Sequence, residues 1–119
     1  MIAVVDDEES VRRAVVRLLQ AAGYAARGFP CGDEFMKAWQ SDPPQCLLLD
    51  LQMPGLSGAD VLRALKRAGA GFPVIIITAH DASGVREECM REGAAAYLCK
   101  PLDERVLLRA VSAAMGSPP

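Results

Sequence analysis

The chain predicts an α/β fold in which five short strands alternate with five helices, a doubly wound (βα)5 arrangement around a parallel sheet. Three observations lead there. Apolar runs without alternation recur at Ile2-Ala3-Val4-Val5, Cys46-Leu47-Leu48-Leu49 and Val74-Ile75-Ile76-Ile77, the pattern of strands buried on both faces. Between them lie stretches whose apolar residues return at helical spacing. Each run also ends in a polar residue, Asp6, Asp50 or Thr78, so side chains that can do chemistry collect at strand ends.

Taken in order, Ile2 to Val5 is the first strand, and Asp6-Asp7-Glu8-Glu9 follows it. Val11, Ala14, Val15, Leu18, Leu19 and Ala22 then mark the apolar face of a first helix, with Arg12, Arg13 and Arg17 off that face and Gly23 as its stop. Tyr24 to Phe29 is a weaker strand, rich in Ala and interrupted by Arg27, which suits a sheet edge. Pro30 breaks it. A second helix is expected from Cys31 to Gln40, burying Phe35, Met36 and Trp39, with Asp33 and Glu34 at its positive end. The turn Ser41-Asp42-Pro43-Pro44 leads into the central strand, which Met53-Pro54-Gly55 terminates, since Pro lacks an N–H and Gly tolerates positive φ.

A third helix spans Ser57 to Ala68 with Val61, Leu62 and Leu65 inward. Pro73 opens the fourth strand, at a first position that tolerates it. A short fourth helix from Ser83 to Glu92 ends at Gly93. Ala95 to Cys99 is the fifth strand, ending at Lys100-Pro101, and the last helix, Asp103 to Met115, turns Val106, Leu107, Ala110, Val111 and Ala114 inward. Residues 1–115 therefore read as one domain, and 116–119 as a tail or the start of a linker.

Composition narrows the function. A net charge of −2 over 119 residues has nothing of the basic footprint of a nucleic-acid binder. The acids at Asp6 and Asp7 exclude a signal peptide at the first residues, and no apolar run approaches the roughly 20 residues that span a bilayer. Cys31, Cys46, Cys89 and Cys99 have no C-x-x-C spacing and are expected as buried free thiols in a reducing, cytoplasmic setting.

Crossovers in parallel sheets are right-handed, so the polar strand ends gather on one edge. That edge collects Asp6 and Asp7, Asp50, Thr78 and Lys100. Three carboxylates together repel one another and call for a cation. Oxygen donors without His or Cys favour a hard ion, and a few carboxylates plus waters suit Mg²⁺. A carboxylate can also attack phosphorus, given cationic clamps and hydrogen-bond donors for the phosphoryl oxygens. Mg²⁺, Lys100 and the Thr78 hydroxyl provide them.

Val4-Val5-Asp6-Asp7-Glu8, Leu49-Asp50-Leu51-Gln52-Met53-Pro54-Gly55-Leu56-Ser57-Gly58, Thr78-Ala79 and Gly93-Ala94 through Lys100-Pro101 together resemble the receiver domains of two-component response regulators, over nearly the whole chain. The resemblance implies strand order 2-1-3-4-5 and a regulatory phosphoacceptor rather than an enzyme, one that assists its own phosphorylation and dephosphorylation. It implies that Asp50 accepts phosphate from a sensor histidine kinase, and that Asp7, Asp50 and the Gln52 main-chain carbonyl bind Mg²⁺, with Asp6 acting through water. Lys100 is expected on the phosphoryl group, a cis bond at Lys100-Pro101, and Thr78 with Tyr97 as a switch pair in which Tyr97 turns inward from solvent. The output surface is expected on the fourth helix, fifth strand and last helix. A homodimer formed on phosphorylation and an effector domain or downstream protein, with transcription as the regulated process, are the other partners it implies.

Singly, each residue has a plainer role. Asp6-Asp7 could cap a helix, Lys100-Pro101 is uninformative, Tyr97 in a strand is ordinary core, and Cys99 is a small buried hydrophobe. Two rivals fail on specific positions. A haloacid-dehalogenase-type phosphatase wants a second Asp two residues after the nucleophile, where Gln52 stands, and a dinucleotide site wants G-x-G-x-x-G where Asp6-Asp7-Glu8-Glu9 stands.

Overall fold

A computed structural model describes residues 1–116. Strands β1 (Ile2–Val5), β2 (Ala26–Phe29), β3 (Cys46–Asp50), β4 (Val74–Thr78) and β5 (Ala96–Cys99) alternate with helices α1 (Glu9–Ala21), α2 (Gly32–Ala38), α3 (Gly58–Arg67), α4 (Val85–Arg91) and α5 (Glu104–Ala114). The sheet is parallel throughout, in the order β2-β1-β3-β4-β5. This is the doubly wound arrangement expected. Helices α2 to α5 begin and end one or two residues inside the expected limits, because the flanking residues serve as caps and connections.

Side-chain alternation along each strand divides the core in two. Ala3, Val5, Leu47, Leu49, Val74 and Ile76 pack on one face with Phe35 of α2, Val61, Leu62 and Leu65 of α3, and Cys89 of α4. Ile2, Val4, Cys46, Leu48, Ile75 and Ile77 pack on the other with Val15 and Leu19 of α1 and Leu107 and Val111 of α5. Every residue of β1, β3 and β4 is buried, which accounts for their unalternating sequences. Edge strand β2 leaves Arg27 and Gly28 exposed, as its weaker sequence implies.

Three expectations are corrected by this packing. Val106 is 45 % exposed, because α5 turns only the Leu107–Val111 side toward the sheet. Cys99 is exposed, since it ends edge strand β5, and Cys31 at the start of α2 is only partly covered; Cys46 and Cys89 are the buried thiols, and all four are free. Met36 and Trp39 are half-buried, and among these apolar side chains only Phe35 reaches the full core. The expected tail at 116–119 lies, apart from Gly116, outside the described residues.

The turn behind the central strand is tied down closely. Gly55 adopts φ 77°, which its lack of a Cβ allows. The Ser57 hydroxyl accepts the Asp60 N–H at 3.2 Å while the Asp60 carboxylate accepts the Ser57 N–H at 3.3 Å, a capping box opening α3. The Ser57 hydroxyl, which also donates to Asp60 Oδ2 at 2.9 Å, then the Ser57 N–H and Arg63, hold the Asp60 carboxyl below its usual range. Gly58 donates to the Leu51 carbonyl at 3.0 Å, and a Cβ on it would press into the Asp50 carbonyl and lie 2.6 Å from the Leu51 Cα. The start of α3 thus packs directly against the backbone that presents Asp50.

Candidate functional site

The sheet register brings the polar strand ends level. Val5 pairs with Leu49, so Asp6 and Asp50 leave their strands side by side, and Thr78 pairs with Cys99 one step before Lys100. Alternation then assigns faces. Asp6 continues the series Ile2, Val4; Asp50 continues Cys46, Leu48; Lys100 continues Ala96, Leu98. All three series belong to the α1/α5 face. Thr78 continues Val74, Ile76, and Tyr97 lies on that same opposite face, toward α3 and α4.

The three residues on the α1/α5 side meet. Lys100 Nζ lies 3.1 Å from Asp6 Oδ2, 3.3 Å from Glu8 Oε1 and 3.7 Å from Asp50 Oδ2. Asp6 and Asp50 are each 3 % exposed, whereas Asp7 stands open to solvent. One carboxylate oxygen from each of Asp6, Asp7 and Asp50 lies within 4.8 Å of the others. Asp6 Oδ1 accepts the Glu8 N–H at 2.9 Å, and Asp50 Oδ1 accepts the Gln52 N–H at 3.4 Å.

Burial pushes the Asp50 carboxyl up to about 7; neighbouring Asp6 adds to the rise, and Lys100 and the Gln52 N–H oppose it. Burial works against the Lys100 ammonium, but its hydrogen bond to Asp6 and the charges of Asp50 and Asp6 outweigh that and raise it. It is therefore a cation at any physiological pH. One ammonium does not neutralise three carboxylates, and burial, with Asp6 beside it, keeps Asp50 elevated despite Lys100. Asp6, Asp7 and Asp50 offer oxygen donors only, partly buried and mutually close, a donor set that fits a hard divalent cation such as Mg²⁺.

Thr78 is fully buried and its hydroxyl closes a tight turn. Oγ1 accepts the His80 N–H and donates to the His80 carbonyl, each at 3.1 Å. It shares the sheet edge with the acids, but its bonds go to the β4–α4 loop. Tyr97 departs from expectation. Rather than standing in solvent it is 4 % exposed, its hydroxyl donating to Asp81 Oδ1 at 3.3 Å, with Arg86 over its ring at 5.7 Å. The reason is the α3/α4 face, which has room for the ring beside Cys89 and Ala94, with Asp81 at the rim for the hydroxyl. Burial and Asp81 push the phenol up to about 12, so it remains a donor. Lys100-Pro101 is cis.

Two residues of the site escaped sequence reasoning. Glu8 reaches Lys100 across 92 positions of sequence, and Arg12 Nη1 donates to the Asp6 main-chain carbonyl at 2.8 Å. Arg12 lies one helical turn after Glu8, and Gly28 leaves the room its stem occupies, since a Cβ there would sit 2.9 Å from Arg12 Cγ. The signal for Arg12 was an i, i+4 relation to an acid at the site; for Glu8 it was its place directly after Asp6-Asp7.

Comparison with known proteins agrees with this arrangement. Residues 2–112 match the family model of the response regulator receiver domain. The transcriptional regulatory protein FixJ of Azorhizobium caulinodans is 34 % identical over 113 residues, covering 95 % of this chain and 54 % of FixJ. The DNA-binding transcriptional regulator NtrC of Salmonella typhimurium is 40 % identical over 113 residues, covering 92 % of this chain and 24 % of NtrC. The chain thus spans about half, or less, of these curated relatives. Among solved structures, a response regulator receiver protein from Burkholderia phymatum is 47 % identical with a TM-score of 0.86, covering 98 % of this chain and 95 % of that one.

Proposed function

This chain belongs to the response regulator receiver domain family, and from that premise we propose that it is a switch thrown by phosphorylation of Asp50. The observation that carries the reading is the carboxylate of Asp50 at the end of the central strand, with Asp6, Asp7 and Lys100 gathered around it. In the reaction, an ionised Asp50 oxygen attacks the phosphorus of a sensor kinase's phosphohistidine. The oxygen–phosphorus bond forms as the nitrogen–phosphorus bond breaks, and the electron pair leaves with the imidazole. Lys100 neutralises charge on the phosphoryl oxygens, and Thr78 donates a hydrogen bond to one of them. Asp7, Asp50 and the Gln52 main-chain carbonyl would hold Mg²⁺, with Asp6 acting through water. When bound, the ion supplies Lewis-acid charge to the transferring group and favours the ionised form of Asp50.

The relay follows from what holds the β4–α4 loop. Thr78 cannot donate to the phosphoryl group while its hydrogen is committed to the His80 carbonyl, so phosphorylation releases that turn. His80 adjoins Asp81, which anchors the Tyr97 hydroxyl, so the release shifts the support of an already buried Tyr97. The two states need differ by only a few kcal/mol for a modification to move between them. The α4-β5-α5 face reads the change. Among the described residues the exposed large hydrophobics, Met90 and Val106, lie on α4 and α5, beside exposed Arg86, Arg91, Arg105 and Arg109. That face suits a homodimer or a downstream partner. The names of FixJ and NtrC support transcription as the regulated process, acting through an effector domain or downstream protein, and a cytoplasmic setting is part of the same proposal.

Intact-mass measurement after incubation with Mg²⁺ and a small acyl phosphate tests the reading. One added phosphoryl mass is expected, absent in Asp50→Asn and absent in excess chelator. Phosphoryl uptake by Asp50→Asn refutes the acceptor, and full uptake in chelator refutes the metal.

A further inference from the structure

We propose that Glu8 is a positioning residue that holds the Lys100 ammonium in the unmodified protein and yields it when Asp50 is phosphorylated. The inference rests on the reading of Asp50 as the acceptor and adds a competitor to it. A lysine ammonium has three N–H donors and no acceptor. Three carboxylates already lie within 4 Å of Lys100 Nζ: Asp6 at 3.1 Å, Glu8 at 3.3 Å and Asp50 at 3.7 Å. A phosphoryl group on Asp50 brings further anionic oxygens to the same ammonium. Asp6 and Glu8 lie within hydrogen-bond reach and Asp50 is held only as a longer ion pair, so drawing the ammonium onto the phosphoryl oxygens loosens whichever of the two nearer partners is held more weakly.

The geometry selects Glu8. The side chains of Asp6 and Asp50 are 5 % and 4 % exposed, while that of Glu8 is 58 % exposed. Buried partners attract the ammonium in a low dielectric, whereas the contact to Glu8 is screened and readily exchanged for water. Glu8 is nonetheless placed with care. It occupies the N-cap of α1, yet its side chain makes no capping bond and reaches Lys100 instead. Its main-chain N–H is held by Asp6 Oδ1 at 2.9 Å, so its distance from the cluster is set by the cluster itself. Arg12, which takes the Asp6 carbonyl at 2.8 Å, is also tied by an Arg12 N–H to Glu8 carbonyl bond of 2.9 Å. The ammonium thus rests between buried Asp6 and exposed Glu8, nearer to both than to Asp50.

The test compares phosphoryl uptake from a small acyl phosphate, at saturating Mg²⁺, by the parent protein, Glu8→Gln, Lys100→Met and the double variant. Saturating the ion removes any effect of the lost charge on its binding. Removing an exposed competing ion pair is expected to raise the uptake rate roughly two- to fivefold in Glu8→Gln. That gain should shrink as ionic strength approaches about 1 M. It should vanish in the Lys100→Met background, whereas a merely structural role for Glu8 would change both backgrounds alike. Glu8→Asp, one methylene short of Lys100, should show the same sign with a smaller gain and covers any folding defect of the first variant. An unchanged or slower rate in Glu8→Gln and Glu8→Asp overturns the proposal, as does a gain that persists without Lys100. Asp50→Asn is the separate arm: uptake there overturns the acceptor assignment and not the Glu8 contact.

Discussion

Replacing Asp50 by Asn should stabilise the metal-free protein at alkaline pH while leaving it nearly unchanged in mild acid. In the fold, burial and the adjacent Asp6 carry the Asp50 carboxyl from 3.8 to about 7. Between those two values the unfolded chain has released this proton and the folded chain has kept it. The unfolded state then binds fewer protons, so stability falls as pH rises through that window and stays low above it. At about 1.4 kcal/mol per tenfold change in proton affinity, the full penalty is on the order of 4 kcal/mol. Asp7 opens one side of the cluster to water, so screening reduces the measurable part to about 2 kcal/mol. The substituted amide would still offer an oxygen to the Gln52 N–H, and Lys100 would keep Asp6 and Glu8. Urea unfolding in chelator, run from about pH 4 to about pH 8, measures the difference directly. The variant's advantage over the parent should grow by about 2 kcal/mol across that range. Added Mg²⁺ should then narrow the gap by favouring the ionised Asp50 of the parent. Parallel stability curves in chelator, or a parent that gains on the variant as pH rises, would refute the account of a strained carboxylate.

Gly58→Ala should destabilise the fold by about 1–3 kcal/mol, because the new methyl meets backbone at Asp50 and Leu51 rather than a movable side chain. An unchanged melting temperature would contradict the close approach of α3 to the central strand. Tyr97→Phe should cost at most about 1 kcal/mol, since it deletes one 3.3 Å bond to an exposed Asp81 and keeps the buried ring. Amide hydrogen exchange through residues 79–84 should nevertheless quicken, and unaltered exchange there would mean that Tyr97 does not tether the loop.

What the sequence by itself determined is the sheet and the place of the acids in it. Unalternating apolar runs at residues 2–5, 46–49 and 74–77, too short for helices in this setting, form strands covered on both faces, and Asp6, Asp50 and Thr78 end those runs. The acid cluster was legible for the same reason, because parallel strands deliver their ends to one edge. The division of that edge was not. Which side of the sheet each polar residue takes depends on strand register, and register sends Asp6, Asp50 and Lys100 toward α1 and α5 but Thr78 and Tyr97 toward α3 and α4. The expectation of Tyr97 in solvent came with the family resemblance, whereas its place in a strand already suggested core, and the packing of the α3/α4 face buries the ring. Val106 and Cys99 failed similarly, since helical and strand periodicity identify a face without saying how far its neighbours cover it. The Glu8–Lys100 pair joins residues 92 positions apart, and no local pattern reports a contact that exists only once β1 and β5 have both found the sheet.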